Sequence, residues 1–321
     1  MRSHFAALLA ASCLALAPLS SSFAQGYPAK PIHVIVAFAP GGPVDVVARL
    51  LSTKLADILG QPVVVENRPS SSGNLGTQVV AKSSPDGYTV LATSSAFAVN
   101  VTLSPNAGYV PGDFAPIIQA ATQPNVIVVN SAFPAKTLAE LLEMAKAGKL
   151  AYASPGTGTT PHLTGEHIFK LIGKLDITHI PHKGAGPAAT AVVSGEPPIG
   201  SLAVTAPLPF VRSGRLRALA ISSAARHPQL PDVPTFVELG YPEIQEYTWV
   251  GFFAPAGTPP DIVQALNNAI NAALRMPDIR ERLESLTLEP IGGSPQQFAD
   301  YVRAEVVKWG AVVKQTGAKV D

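Results

Sequence analysis

Cysteine is almost missing from this chain. Its single copy among 321 residues is Cys13, inside an apolar N-terminal stretch that carries the marks of a secretory leader. Arg2 supplies the positive start, Phe5 to Leu19 an apolar core too short to span a bilayer, and Ser22-Phe23-Ala24 a small-residue cleavage site. Removal of residues 1–24 as a signal peptide would leave an exported protein with neither a disulfide nor a thiol nucleophile. A lipoprotein anchor at Cys13 is the rival reading, against which Ala10-Ala11-Ser12 lacks the usual leading Leu and the apolar run continues past it.

An excess of charge of either sign is missing too. There are 23 Lys and Arg against 22 Asp and Glu, and Arg2 falls in the leader, so the remainder balances. That argues against a basic stripe for nucleic acid and against a like-charged tail. No later stretch is apolar for long enough to span a membrane, so the expected location is the periplasm. The remaining chain, about 297 residues, sits near the size at which one core stops growing, which favours two domains.

Catalytic signatures are scarce as well. There is no Gly-x-Ser-x-Gly elbow, no acid placed to orient a base, and no dinucleotide or phosphate-loop fingerprint. His162-x-x-x-Glu166-His167 resembles a metal motif but misses the zincin spacings by a residue, and a five-residue separation takes the two histidines off one helical face. The expectation is therefore no enzyme, no cofactor and no metal.

What is present is an alternation of short Val- and Ile-rich runs with segments of helical period, the pattern of an α/β protein. Strands are expected at Ile32 to Phe38, Val63 to Glu66, Thr89 to Ala92, Val126 to Val129, Leu150 to Ala153, Leu216 to Ile221 and Trp249 to Ala254. Helices are expected at Val44 to Leu59, Leu75 to Lys82, Leu138 to Ala147, His162 to Leu171, Ala188 to Ser194, Ile262 to Leu274 and Gln296 to Lys314. Thr137 with Glu140, Thr258 with Asp261 and Ser294 with Gln297 read as hydroxyl caps three residues before an acid or amide. Gly42-Pro43 and Gly186-Pro187 instead place glycine where the cap belongs. A helix end left open in this way carries unpaired N–H groups and about half a positive charge, enough to hold a carboxylate without a cationic side chain; glycine is also an ordinary cap, so the two readings stand together.

A series of ordered motifs carries a family resemblance: Tyr27-Pro28-Ala29-Lys30-Pro31-Ile32, Pro40-Gly41-Gly42-x-x-Asp45-x-x-Ala48-Arg49, Val65-Glu66-Asn67-Arg68, Pro85-Asp86-Gly87-Tyr88-Thr89 and Leu230-Pro231-Asp232-Val233-Pro234-Thr235. Over essentially its whole exported length the chain resembles the extracytoplasmic solute-binding proteins of tripartite tricarboxylate transporters, the TctC or Bug family. The resemblance implies a two-lobed, Venus-flytrap fold of the type II periplasmic-binding-protein kind, with two mixed, mostly parallel sheets joined by hinge strands. Residues 25–124 plus 248–321 would form lobe 1 and residues 125–247 lobe 2. It also implies a monomer that takes a small carboxylate from solution and delivers it to the transporter's membrane subunits. A ligand sensor docking on a two-component receptor is the alternative.

On that frame the candidate ligand residues are Phe38, Gly41, Gly42 and Asp45 in the first glycine turn, and Thr93, Ser94 and Ser95 where the third strand emerges at the sheet's carboxyl edge. The second half adds Thr157, Gly158 and Thr159, with Thr160 as the cap, then His162, Lys183 as the one cation near the cleft, and Thr205. Phe38 can equally be core. Asp45, in the first helical turn and four residues before Arg49, fits a structural role better than ligand contact. Family members usually carry a tyrosine before the lysine, where this chain has His182, and polar residues where it has Pro198 and Ala203. The loss of those polar handles points to a ligand less polar than a dicarboxylate.

Overall fold

Runs of β-branched residues closed by glycine or proline give this chain its strands, and apolar spacing near 3.6 residues gives the helices between them. A computed structural model describes residues 26–104 and 106–317; the leader assigned to residues 1–24 lies outside them, and Cys13 with it. In chain order the elements are β1 (Ile32–Val36), α1 (Pro43–Leu59), β2 (Val63–Asn67), α2 (Asn74–Ala81), β3 (Thr89–Ser94) and α3 (Ala96–Leu103). Next come β4 (Phe114–Asn130), α4 (Leu138–Ala147), β5 (Ala151–Ser154), α5 (Thr160–Glu166), which continues as a π-helical turn over His167–Ile172, β6 (Thr178–Pro181) and α6 (Ala185–Ser194). The remainder is β7 (Ile199–Ala203), α7 (Leu208–Arg212), β8 (Leu216–Ile221), β9 (Tyr247–Pro255), α8 (Pro260–Arg275), α9 (Pro277–Ser285), β10 (Glu289–Pro290) and α10 (Pro295–Thr316).

The strands join in one hydrogen-bonded network in the order β2-β1-β3-β9-β4-β7-β5-β6, with β8 and β10 also paired to β4. This corrects the expected count of two mixed, mostly parallel sheets joined by hinge strands: the pairing is continuous. The cause is β4, 17 residues long. Its first part, Phe114 to Pro124, runs antiparallel to β9, and its second part, from Asn125, runs antiparallel to β7 and β8. Among the named strands, parallel pairing joins β1 with β2 and β3, and β5 with β6 and β7.

The apolar interior follows the two parts of β4. One cluster gathers Val36, Leu51, Leu91, Phe97, Ile117, Phe252 and Trp309, with Phe97 stacked on Phe253 at 4.5 Å between ring centroids. Two others, around Ile127, Tyr152 and Phe169 and around Val128, Val192 and Ile221, belong to the second part. Trp249 and Trp309, both fully buried, donate their indole N–H groups to the same Glu305 carboxylate at 3.0 and 2.7 Å, so this acid enters the core with its charge hydrogen-bonded.

Helix starts settle the capping assignments one by one. Thr137 accepts from Glu140 N–H, and Ser294 and Gln297 form the reciprocal pair. Thr258 does not cap α8: its hydroxyl donates to the Pro255 carbonyl, and Pro259 stands at the cap position. At α5 the cap is Thr159 rather than Thr160. At α6 the helix begins two residues before Pro187, so the bare glycine at its start is Gly184, not Gly186. Among the described residues no helix is long and apolar enough to cross a membrane.

Candidate functional site

β1, β3, β5 and β6 all end where a helix is about to begin, and those turns meet. The Ala39 N–H donates to the Lys183 carbonyl at 2.8 Å. Gly42 lies against Ala185, and a Cβ on Gly186 would sit 2.3 Å from the Pro40 carbonyl oxygen, so only glycine allows the two turns this approach. A cavity of about 30 Å³ lies at the junction, lined by Phe38, Gly42, Pro43, Val44, Asp45, Ser94, Pro155, Thr159, Pro161, Ala185, Ala203 and Thr248. Gly42, with extended φ −91° and ψ 172°, caps α1 without a side chain, and Gly184 does the same for α6. Both helix ends therefore carry the positive end of their dipoles to the junction with no side-chain acceptor supplied by the cap.

Five of the residues singled out from sequence line this cavity: Phe38, Gly42, Asp45, Ser94 and Thr159. Asp45 has both oxygens engaged, one by the Gly41 N–H (3.1 Å), the other by Arg49 Nε (2.9 Å) and Asn67 Nδ2 (3.0 Å). It holds the glycine turn to its helix. Ser94 Oγ accepts from the Ala96 N–H at 3.3 Å and donates to no protein acceptor among the described residues.

The others do different work. Gly41 and Thr205 line a separate groove of about 740 Å³ along α1, α7 and α9, which also takes in Arg49, Lys54 and Arg282. The Thr205 hydroxyl lies 2.7 Å from Gln123 Oε1 and 3.0 Å from the Leu286 carbonyl. Thr93 is enclosed within β3, opposite Gly251 of β9. Thr157 is buried but is not in the cavity wall. Gly158 has φ +78°, and a Cβ there would fall 2.2 Å from Asn100 Oδ1; its N–H is taken by His162 Nδ1 at 3.2 Å. His162 thus braces the turn from behind, stacked on His179 at 4.1 Å, and burial pushes its imidazole pKa down to about 3, with the positive Lys170 adding to the effect. The Lys183 side chain is exposed and does not line the cavity, so its contribution is its carbonyl.

Ser95 heads a chain of mostly buried polar groups that runs to Glu246 and His167. Its Oγ lies 3.0 Å from Thr160 Oγ1, which lies 2.7 Å from Thr248 Oγ1; Thr248 donates to Asn125 Oδ1 at 2.8 Å, and Asn125 Nδ2 donates to Thr164 Oγ1 at 2.9 Å. Thr164 continues to Glu246, whose other oxygen is 3.0 Å from His167 Nδ1. Because the Thr248 proton goes to Asn125, Thr248 must accept from Thr160, and Thr160 from Ser95. Ser95 therefore has no proton left for a ligand. Sequence reasoning missed Thr248, Ala185 and the prolines 43, 155 and 161 in the wall. A hydroxyl at the head of β9 and proline beside each glycine or threonine turn are visible in the sequence, but nothing local says that they face one another.

A family model described as "Tripartite tricarboxylate transporter family receptor" matches residues 47–318. The chain belongs to that family. Its members are solute-binding proteins. The BugT protein of Bordetella pertussis is 41% identical over 309 residues, covering 95% of this chain and 94% of that protein. MatC from Rhodopseudomonas palustris, solved with bound malate, superposes with a TM-score of 0.85 at 34% identity, over 89% of this chain and all of that one. A second R. palustris protein, solved with adipate, gives 0.88 at 33% identity, over 92% of this chain and all of that one.

Proposed function

We propose that this protein is an extracytoplasmic solute-binding protein that encloses a small carboxylate between two lobes, residues 25–124 plus 248–321 and residues 125–247, and hands it to the membrane subunits of a tripartite tricarboxylate-type transporter. The observation that carries this reading is the cavity at the meeting of the turns after β1, β3, β5 and β6, with two side-chain-free helix starts beside it. The apolar clusters support the division, since one draws on residues 32–121 and 249–313 with Leu163, and the other two on residues 126–244. Residues on both sides contribute to the wall, so a ligand binds the closed arrangement better than an open one and shifts the population by that difference. The flexing points are the Pro124–Asn125 junction in β4 and the start of β9, where the chain passes between lobes. No bond of the ligand is made or broken. Malate and adipate in the two relatives support a carboxylate.

The test is a thermal-shift screen of the exported form against mono- and dicarboxylates, followed by small-angle scattering with and without the best of them. Binding at 100-fold excess over Kd should stabilise by about 2.7 kcal/mol and reduce the radius of gyration. A flat response to every carboxylate refutes the reading.

A further inference from the structure

We infer that Thr205 and Arg212 form a latch between the lobes, setting how tightly any ligand is held without touching it. The inference rests on the two-lobe reading above and adds to it residues outside the site. Neither side chain lines the cavity. Both lie in the segment that follows β7, and both reach the last turn of α9 on the opposite lobe. The Thr205 hydroxyl lies 3.0 Å from the Leu286 carbonyl, and Arg212 Nη2 donates to the Ser285 carbonyl at 3.3 Å. A helix end suits this purpose. Its final carbonyls have no partner within the helix and carry the negative end of the dipole, so they attract a hydroxyl proton and a guanidinium.

What makes this a latch and not a fixed joint is that each donor has a second acceptor nearer home. The Thr205 hydroxyl carries one proton, and Gln123 Oε1 lies 2.7 Å from it, already accepting from the Thr205 N–H at 2.8 Å. Gln123 stands beside the Pro124–Asn125 crossing, so it keeps its place next to Thr205 when the lobes move. Arg212 likewise donates to Gln229 of its own lobe. The receiving side is provided for as well: the Thr287 hydroxyl donates to the same Leu286 carbonyl, and Ser285 is partly exposed. Thr205 and Leu286 both stand in the wall of the groove of about 740 Å³, where water reaches them. Opening therefore strands no buried donor or acceptor and costs only the difference between two sets of hydrogen bonds.

The experiment pairs distances with affinities. With Cys13 absent from the exported form, Asp57→Cys on α1 and Ala147→Cys on α4, both exposed, carry one spin label on each lobe. Pulsed electron paramagnetic resonance reads the unliganded distance, and titration calorimetry the Kd of succinate, adipate and hexanoate, in the parent, Thr205→Val, Arg212→Met and the double variant. Losing the Thr205 bond should raise the open-to-closed ratio about 2- to 10-fold, and losing the exposed Arg212 bond about 1.5- to 5-fold. Where the free protein is mainly open, that factor appears as an equal rise in Kd for every acid that binds; where it is mainly closed, it appears as growth of the longer distances. Kd and distances both unmoved in a folded double variant overturn the latch. So does a rise confined to one acid, which would make Thr205 a ligand contact. Arg212→Met, on the surface, carries the test if Thr205→Val is unstable. If none of the three acids binds the parent protein, the carboxylate reading falls, and the distances alone decide the latch.

Discussion

Replacing Gly186→Ala adds one methyl group where the account says there is no room. The new Cβ would stand 2.3 Å from the Pro40 carbonyl oxygen and 3.4 Å from Gly41 Cα. Ordinary van der Waals contact begins near the second of these distances, so the turns at residues 39–42 and 183–186 must separate by about 1 Å. The obstacle is main chain and cannot rotate away. Overpacking of this kind costs about 1–3 kcal/mol, and if that cost is confined to the ligand-bound closed arrangement it appears as about a 5- to 150-fold rise in Kd. The stability of the free protein moves the other way or stays put, because Gly186 lies inside α6 without a left-handed φ and alanine there favours the helix by up to about 1 kcal/mol. Titration calorimetry and a melting curve on the same preparation read both numbers. Wild-type affinity in a variant that melts normally would show that these turns do not meet around the ligand, and the argument for closure would fail.

Other consequences are independent of that one. Ser94→Ala removes the hydroxyl proton available to a carboxylate and should weaken binding about 10- to 100-fold while leaving the melting temperature within a degree or two; an unchanged Kd contradicts the proton count. Asn125→Leu strands the Thr248 hydroxyl and a Thr164 lone pair in the buried chain, at about 1–3 kcal/mol each, and should lower the melting temperature by several degrees, whereas a neutral result would mean that water repairs the break. His162 sets a pH dependence. Its folded pKa, about 3, lies below the ordinary value of 6.5, so between those values the unfolded chain takes up a proton that the folded protein refuses. Its contribution is complete above pH 6.5 and is lost as pH falls toward 3. A His162→Gln variant should show a flatter stability profile than wild type across that window, measured by urea denaturation, and parallel profiles would refute the assignment.

Much of the architecture was legible because it is local. Ile32 to Phe38, the glycine turn and α1 announce themselves through period and punctuation, and α4 matches its expected bounds because Thr137 and Glu140 mark its start. The first part of β4 was hidden by Pro116 and Pro124, which read as breakers; the strand tolerates them through register shifts at Pro116/Ile118 and Gln119/Ala121. α3 escaped notice because Ala96 to Val99 is apolar all round and mimics a buried strand. At the site, sequence located the turns but not the protons. Ser94 and Ser95 are adjacent hydroxyls at one strand end, yet only the fold reveals that Thr160, 65 positions away, takes the proton of Ser95. The charge of Lys183 suggests a ligand contact, yet its side chain lies on the surface and its carbonyl bonds the Ala39 N–H.

The central claim is that a carboxylate is held where the four turns converge. A crystal structure of the exported protein with its tightest-binding carboxylate tests it most directly. The account predicts the acid group within hydrogen-bond reach of Ser94 Oγ and the first turn of α1, with its body against Pro155, Pro161 and Ala185. A ligand seated instead in the groove beside Arg49, Lys54 and Arg282, with the cavity left as it is, would contradict it.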